Sequence, residues 1–162
     1  MLFRSPAVEH PRVPVLGLDC PRSEVSGARF WGWVKHRFET PEAFFAEAFV
    51  ANYCPLSFME ASGRNRTPDK LPAAERAPLF RACDAALAGL VAHFQPALVI
   101  GVGQFAESRL RTVVGAASGI RIGRVPHPSP ASPAANADWA GQMDRAWAAL
   151  GLTTPWSAGA PS

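Results

Sequence analysis

Apolar residues recur at three- and four-residue steps from Ala73 to Phe94, with Leu79, Cys83, Leu87, Leu90, Val91 and Phe94 on one stripe. That spacing predicts a long amphipathic helix, ended by Pro96. Phe30, Trp33, Val34 and Phe38 keep the same rhythm behind the polar stretch from Ser23 to Gly27. Thr40-Pro41-Glu42 starts another helix, with a capping hydroxyl and a proline in the first turn, and Phe44, Phe45 and Ala48 turn inward from it. These aromatics read as core rather than as a cofactor box. Ala97 to Gly103 is continuously apolar and partly β-branched, the pattern of a strand buried on both faces. A helix follows at once, with Ala106, Leu110, Val113 and Val114 on one side. Arg121–Val125 and Phe49–Tyr53 predict two shorter strands, the second running into a turn at Pro55. Val15–Leu18 predicts a strand or a buried extended segment. A last helix begins near Asp138 and carries Trp139, Met143, Ala146, Trp147 and Leu150 on one face.

Strands separated by helices make parallel βαβ units with helices on both sides of one sheet. The predicted fold class is therefore α/β, a three-layer α/β/α sandwich around a short parallel central sheet. It occupies residues 10–152. Prolines at 6, 11 and 14 and a lack of periodicity make residues 1–9 a lead-in, and the Pro/Ala/Gly/Ser-rich residues 153–162 make a flexible tail.

Composition narrows the class. With 162 residues, 48% of them hydrophobic, the chain suffices for one core and one domain, and we expect a monomer. No apolar run approaches the length that spans a bilayer, and the first residues lack the apolar segment of a secretory signal. The expected location is the cytoplasm, or the nucleoid within it if the source is bacterial. Cys20, Cys54 and Cys83 are too few and too scattered for a disulfide framework or an iron–sulfur cluster. His10, His36, His93 and His127 show no metal-binding pairing, so neither metal nor cofactor is expected. The net charge of +3 is carried by arginine, with only Lys35 and Lys70 as lysines, which fits a phosphate-rich partner.

In parallel sheets ligands gather beyond the carboxyl ends of the strands. Asn52, the Gly101/Gly103 pair and His127 all fall at such ends. His127 stands in Val125-Pro126-His127-Pro128-Ser129-Pro130, where the prolines remove backbone donors and fix φ, giving a stiff extended loop that neither helix nor central strand continues. Ser62-Gly63-Arg64-Asn65-Arg66-Thr67-Pro68 reads as a polar, basic loop, either a solvated connection or a phosphate contact.

From about His10 to Leu152 the chain resembles the uracil-DNA glycosylase superfamily, most of all its single-strand-selective monofunctional branch. The resemblance rests on Val15–Pro21, Ser23–Gly32, Asn52-Tyr53-Cys54-Pro55-Leu56, Ser62-Gly63-Arg64-Asn65, Gly101-Val102-Gly103 and His127-Pro128-Ser129-Pro130, in that order. It implies a hydrolase that removes uracil, or an oxidised uracil such as 5-hydroxymethyluracil, from single- or double-stranded DNA in base-excision repair. It implies that Asn52 reads the base and that His127 stabilises charge on uracil O2. It further implies that Ser62, Gly63, Arg64, Asn65, Arg66, Pro128, Ser129, Pro130 and Asn136 meet DNA. Ala131 stands where members of the family often carry arginine. The family's glycine-rich first motif, which positions water and supplies the sheet's first strand, is not matched by Met1 to Glu9. The expectation is thus a fragment without its first strand and without turnover of its own. One alternative is a DNA-binding remnant of the fold that has lost catalysis; another is an unrelated α/β domain with a chance histidine–proline loop.

Overall fold

The computed structural model describes residues 9–21, 23–115, 118–131 and 133–152. The expected lead-in falls outside them except for Glu9, and the expected tail falls outside them entirely.

Five helices appear among these residues: α1 Val25–Phe38, α2 Pro41–Glu47, α3 Ala73–Phe94, α4 Gln104–Val114 and α5 Pro133–Ala149. Strands β1 Phe58–Met59 and β2 Asn65–Arg66 form an antiparallel hairpin; β3 Leu98–Val102 and β4 Arg121–Val125 pair in parallel. Leu98 lies opposite Arg121 and Val102 opposite Val125, with α4 as the crossover. Alternation along these strands separates two faces. Leu98, Ile100, Val102 and Val125 join the core built from Trp33, Val34, Phe38, Phe44, Trp139, Met143 and Trp147 of α1, α2 and α5. Gly101 faces the opposite way, onto α4: a Cβ there would lie 2.3 Å from the Glu107 backbone nitrogen. The arrangement is α/β with helices on both faces of the β3–β4 pair, compatible with the expected α/β/α sandwich.

Most helices follow the apolar rhythm that predicts them. Thr40 caps α2 as expected, its hydroxyl accepting from the Ala43 N–H at 3.2 Å, an interaction worth about 1 kcal/mol. Glu24, within the polar stretch expected to precede α1, caps that helix by accepting from the Ser26 and Gly27 N–H groups. Trp139, Met143 and Trp147 are buried along α5, as their spacing requires. Pro133 does not block that helix but opens it, because proline in a first turn lacks only a donor that has no partner there. Helical geometry breaks at Asp138, whose carboxylate accepts from the Gly141 N–H at 2.9 Å and caps the longer part of α5. The predicted start near Asp138 is that second cap.

Four expectations are corrected. Phe49–Tyr53 is not a strand, since no neighbour pairs with it among the described residues. Val15–Leu18 runs into a single 3₁₀ turn at Gly17–Asp19. Phe45 is 53% exposed, because α2 is too short to bury both faces. β3 itself forms, but only Gly101 in it is buried, since one edge of the strand has no partner among the described residues.

Candidate active site

The loop after β4 has few N–H groups, so it is held by its carbonyls. Trp139 Nε1 of α5 donates to the Pro126 carbonyl at 3.0 Å. Arg29 Nη1 of α1 donates to the Pro128 carbonyl at 2.9 Å. Asn136 Nδ2 donates to the Pro130 carbonyl at 2.8 Å. Arg29 Nη2 also donates to Asn136 Oδ1 at 2.9 Å, which locks two of these grips together. Three proline carbonyls are thus each gripped by one side chain, and His127 and Ser129 lie between them.

Two further contacts orient His127. The Ser129 N–H donates to its Nδ1 at 3.1 Å, so Nε2 carries the proton of the neutral ring and is free to donate. Gly103, at φ +89°, lies directly beneath; a Cβ there would stand 3.0 Å from the His127 Cβ. That position needs glycine both for its backbone and for the ring above it. The Gly103 N–H donates to the Val125 carbonyl at 2.9 Å and extends the parallel ladder up to the loop. Glu24 lies near His127, where a proton gained by the ring would favour its carboxylate. The main hold on that carboxyl, which keeps it below its ordinary range, is the Ser26 hydroxyl.

Beside His127 opens a cleft of about 350 Å³ lined by Gly103, Gln104, Arg124, Pro126, His127 and Gln142. Asn52 does not line it. Asn52 is exposed and its amide has no partner among the described residues. Its neighbour Tyr53 packs edge-on against Phe105, 5.4 Å between centroids, and Phe105 lies two residues beyond Gly103. Asn52 and His127 therefore flank the start of α4 without touching.

Ser62–Arg64 is the loop that joins β1 to β2, with Asn65 and Arg66 in the second strand, and it packs on the N-terminal segment: a Cβ at Gly63 would meet Val13 at 3.1 Å. Arg64 pairs with Glu60 at 3.1 Å, and Arg66 donates to the Lys70 carbonyl at 2.7 Å. Asn65 is exposed, and Ser62 accepts from the Arg64 N–H at 3.4 Å. No hydrogen bond or ion pair joins this hairpin to the His127 loop among the described residues. Pro128 is buried, Ser129 half-buried and Pro130 exposed. Asn136, expected to meet DNA, has both ends of its amide engaged inside the protein.

The rat protein named single-strand selective monofunctional uracil-DNA glycosylase is 50% identical over 136 residues, 83% of this chain and 49% of that protein. The bovine protein of that name is 49% identical over 137 residues, and the mouse protein 46% identical over 149. The chain is homologous to the uracil-DNA glycosylases. It spans about half the length of the curated relatives it matches. No protein-family model matches it. Within this family likeness, Arg29 and Trp139 are the residues that sequence reading left without a role. Arg29 lies inside the Ser23–Gly32 block on which the resemblance rests, but nothing local shows that its guanidinium reaches a carbonyl 99 residues away.

Proposed function

We propose that the protein carrying this sequence hydrolyses the N-glycosidic bond of uracil, or of an oxidised uracil such as 5-hydroxymethyluracil, in DNA. The observation that carries this reading is the seating of His127, whose Nδ1 is occupied by the Ser129 N–H so that Nε2–H points free beside a cleft. As the bond between C1′ and N1 breaks, its electron pair moves onto the pyrimidine and charge grows on O2. A fixed donor aimed at that oxygen lowers the barrier by roughly 3 kcal/mol. Water attacks C1′ and supplies the oxygen of the abasic sugar, so the chemistry calls for no cofactor.

The base has to leave the stack to reach such a donor. Asn52, with a free amide, reads it by donating to O4 and accepting from N3–H; cytosine presents the reverse pattern. Ser62, Gly63, Arg64, Asn65 and Arg66 with Pro128, Ser129 and Pro130 follow the DNA backbone, while Asn136 acts by shaping the loop. The protein works as a monomer in the cytoplasm, or at the nucleoid of a bacterial cell, where its substrate lies.

The test uses a single-stranded oligonucleotide with one uracil, followed by alkaline cleavage at abasic sites. Residues 1–162 are compared with the same chain joined to the part of the rat relative that it does not cover. The longer protein is expected to release uracil and the shorter one not to. Asn52→Asp in the longer protein is expected to lower kcat/KM at least about tenfold, a loss of about 1.4 kcal/mol. No release by the longer protein with Asn52 and His127 intact would sink the reading.

DNA contact has its own measurement. The affinity of residues 1–162 for single-stranded DNA is expected to fall as salt rises, through counterion release. Arg64, whose side chain is 74% exposed, exchanges Glu60 for phosphate, so Arg64→Ala should lower the slope of log affinity against log salt by about 1. Affinity that ignores salt would remove both loops from the interface.

A further inference from the structure

Asn52 lies on a stretch of chain that no ladder holds. From Phe49 to Ser57 no backbone group is hydrogen-bonded among the described residues, so side chains alone fix where Asn52 stands. At the start of this stretch Phe49 stacks on Phe94, 4.7 Å between centroids, but both rings are about half exposed. The firm attachment comes one residue after Asn52. Tyr53 Oη donates to Asp84 Oδ1 at 2.8 Å. The same carboxylate takes a two-pronged pair from Arg109, with Nε donating to Oδ1 at 3.0 Å and Nη2 to Oδ2. Arg109 Cζ stands 5.7 Å from the Tyr53 ring centroid and 5.3 Å from that of Phe80. Phe105 closes the cluster against both rings. Next along the chain, Cys54 lies near buried Cys83.

These partners come from two helices packed on each other, α3 with Phe80, Cys83 and Asp84, and α4 with Phe105 and Arg109. The Arg109 and Asp84 side chains are only 20% and 23% exposed. A bidentate pair withdrawn from water in this way holds its geometry better than a surface pair.

We propose that Tyr53, clamped by Asp84 and Arg109, is the positioning residue that aims the Asn52 amide and thereby sets the preference for uracil over cytosine. This rests on the base-reading role given to Asn52 above. Uracil offers an acceptor at O4 and a donor at N3, and cytosine the opposite, so an amide free to turn by half a revolution reads either base. The clamp fixes the backbone next to that amide on two rigid helices.

The groups that face the Tyr53 hydroxyl are Asp84 from α3 and Arg109 from α4, with Cys83 and Cys54 nearby. The phenol is pushed up to about 12, first by burial and then by the Asp84 hydrogen bond, with the Arg109 charge opposing both. A raised phenol favours the protonated folded state. Its contribution to stability is whole below the ordinary value of about 10 and is lost as pH rises through the folded value.

The experiment uses residues 1–162 as wild type, Tyr53→Phe and Asp84→Asn. Single-stranded oligonucleotides that differ by one uracil or cytosine compete for binding, and amide relaxation reports the order of Asn52. The wild-type preference for uracil, expected at about tenfold, should fall to within about twofold in both variants. The Asn52 order parameter should fall from about 0.85 to below about 0.6, with α3 and α4 unchanged. Tyr53 is the only tyrosine of the chain, so phenolate absorbance shows directly whether the clamp is closed. Its midpoint should stand at about 12 in the wild type. In Asp84→Asn the midpoint should move toward the ordinary value of about 10. An Asn52 as ordered and as selective in Tyr53→Phe as in the wild type overturns the inference. So does a loosened Asn52 with an unchanged preference. A wild-type chain with no preference for uracil overturns the base-reading role, and this inference with it; that failure shows before any variant is made.

Discussion

Alanine at Gly101 is expected to cost about 3 kcal/mol or more of folding stability, whereas alanine at Gly123 costs less than about 1. Both glycines lie in the parallel pair, on opposite faces. A Cβ at Gly101 would stand 2.3 Å from the Glu107 nitrogen and 2.6 Å from its Cα, so all of α4 has to move. A Cβ at Gly123 would meet the Leu150 side chain, 2.6 Å from Cδ2 and 3.3 Å from Cγ, and that side chain can change rotamer. In thermal unfolding the first change should lower Tm by roughly 6–12 °C and the second by a few degrees. Equal shifts would mean that α4 does not press on β3 at Gly101.

The other large effect is expected at the histidine loop. In a protein that carries this sequence and releases uracil, His127→Ala should lower kcat about a hundredfold or more, with KM little changed, because the donor acts mainly on charge that develops as the bond breaks. Arg29→Ala should lower kcat by roughly tenfold, since it frees the Pro128 carbonyl and leaves Asn136 half-paired. Asn136→Ala should do the same. The double variant should lose less than the product of the two, because both residues share one hydrogen bond. Steady-state rates on single-stranded uracil DNA measure all four proteins. An Arg29→Ala enzyme at the wild-type rate would show that the loop keeps its shape without α1.

The helices were legible because their signal is local: α5 writes its buried face into every fourth residue, and α3 repeats its apolar residues at helical steps although only Cys83 among them is buried. Strands carry less. Phe49–Tyr53 has the apolar content of a strand, but a strand exists only if another lies beside it, and composition says nothing about the neighbour. The Phe58–Arg66 hairpin has strands of two residues each, too short for alternation to show. Within the candidate site, His127 and Gly103 were legible because proline and glycine constrain the backbone wherever they stand. The grips of Arg29 and Trp139 were not, since an arginine and a tryptophan on amphipathic helices look like surface and core until the fold brings a carbonyl to them. The two hydrogen bonds of the Asn136 amide were hidden for the same reason. The amide of Asn52 could be singled out by type and place, but what steadies it belongs to two helices far along the chain.

The separations in sequence across the histidine loop carry a consequence for how the molecule comes together. Arg29 meets Pro128 and Asn136 across 99 and 107 residues, while the ladder from β3 to β4 closes over little more than twenty. Joining distant points costs more chain entropy than joining near ones, so the short-range unit from α3 to β4 is placed to form early and the clasp on the loop late. During synthesis α1 leaves the ribosome long before Asn136 exists, and its guanidinium waits in solvent until the last helix arrives. The last grips on the His127 loop therefore close only when α1 and α5 have met. A protein caught before that point would hold most of its helices and the seat of His127, yet lack the clasp that steadies the loop.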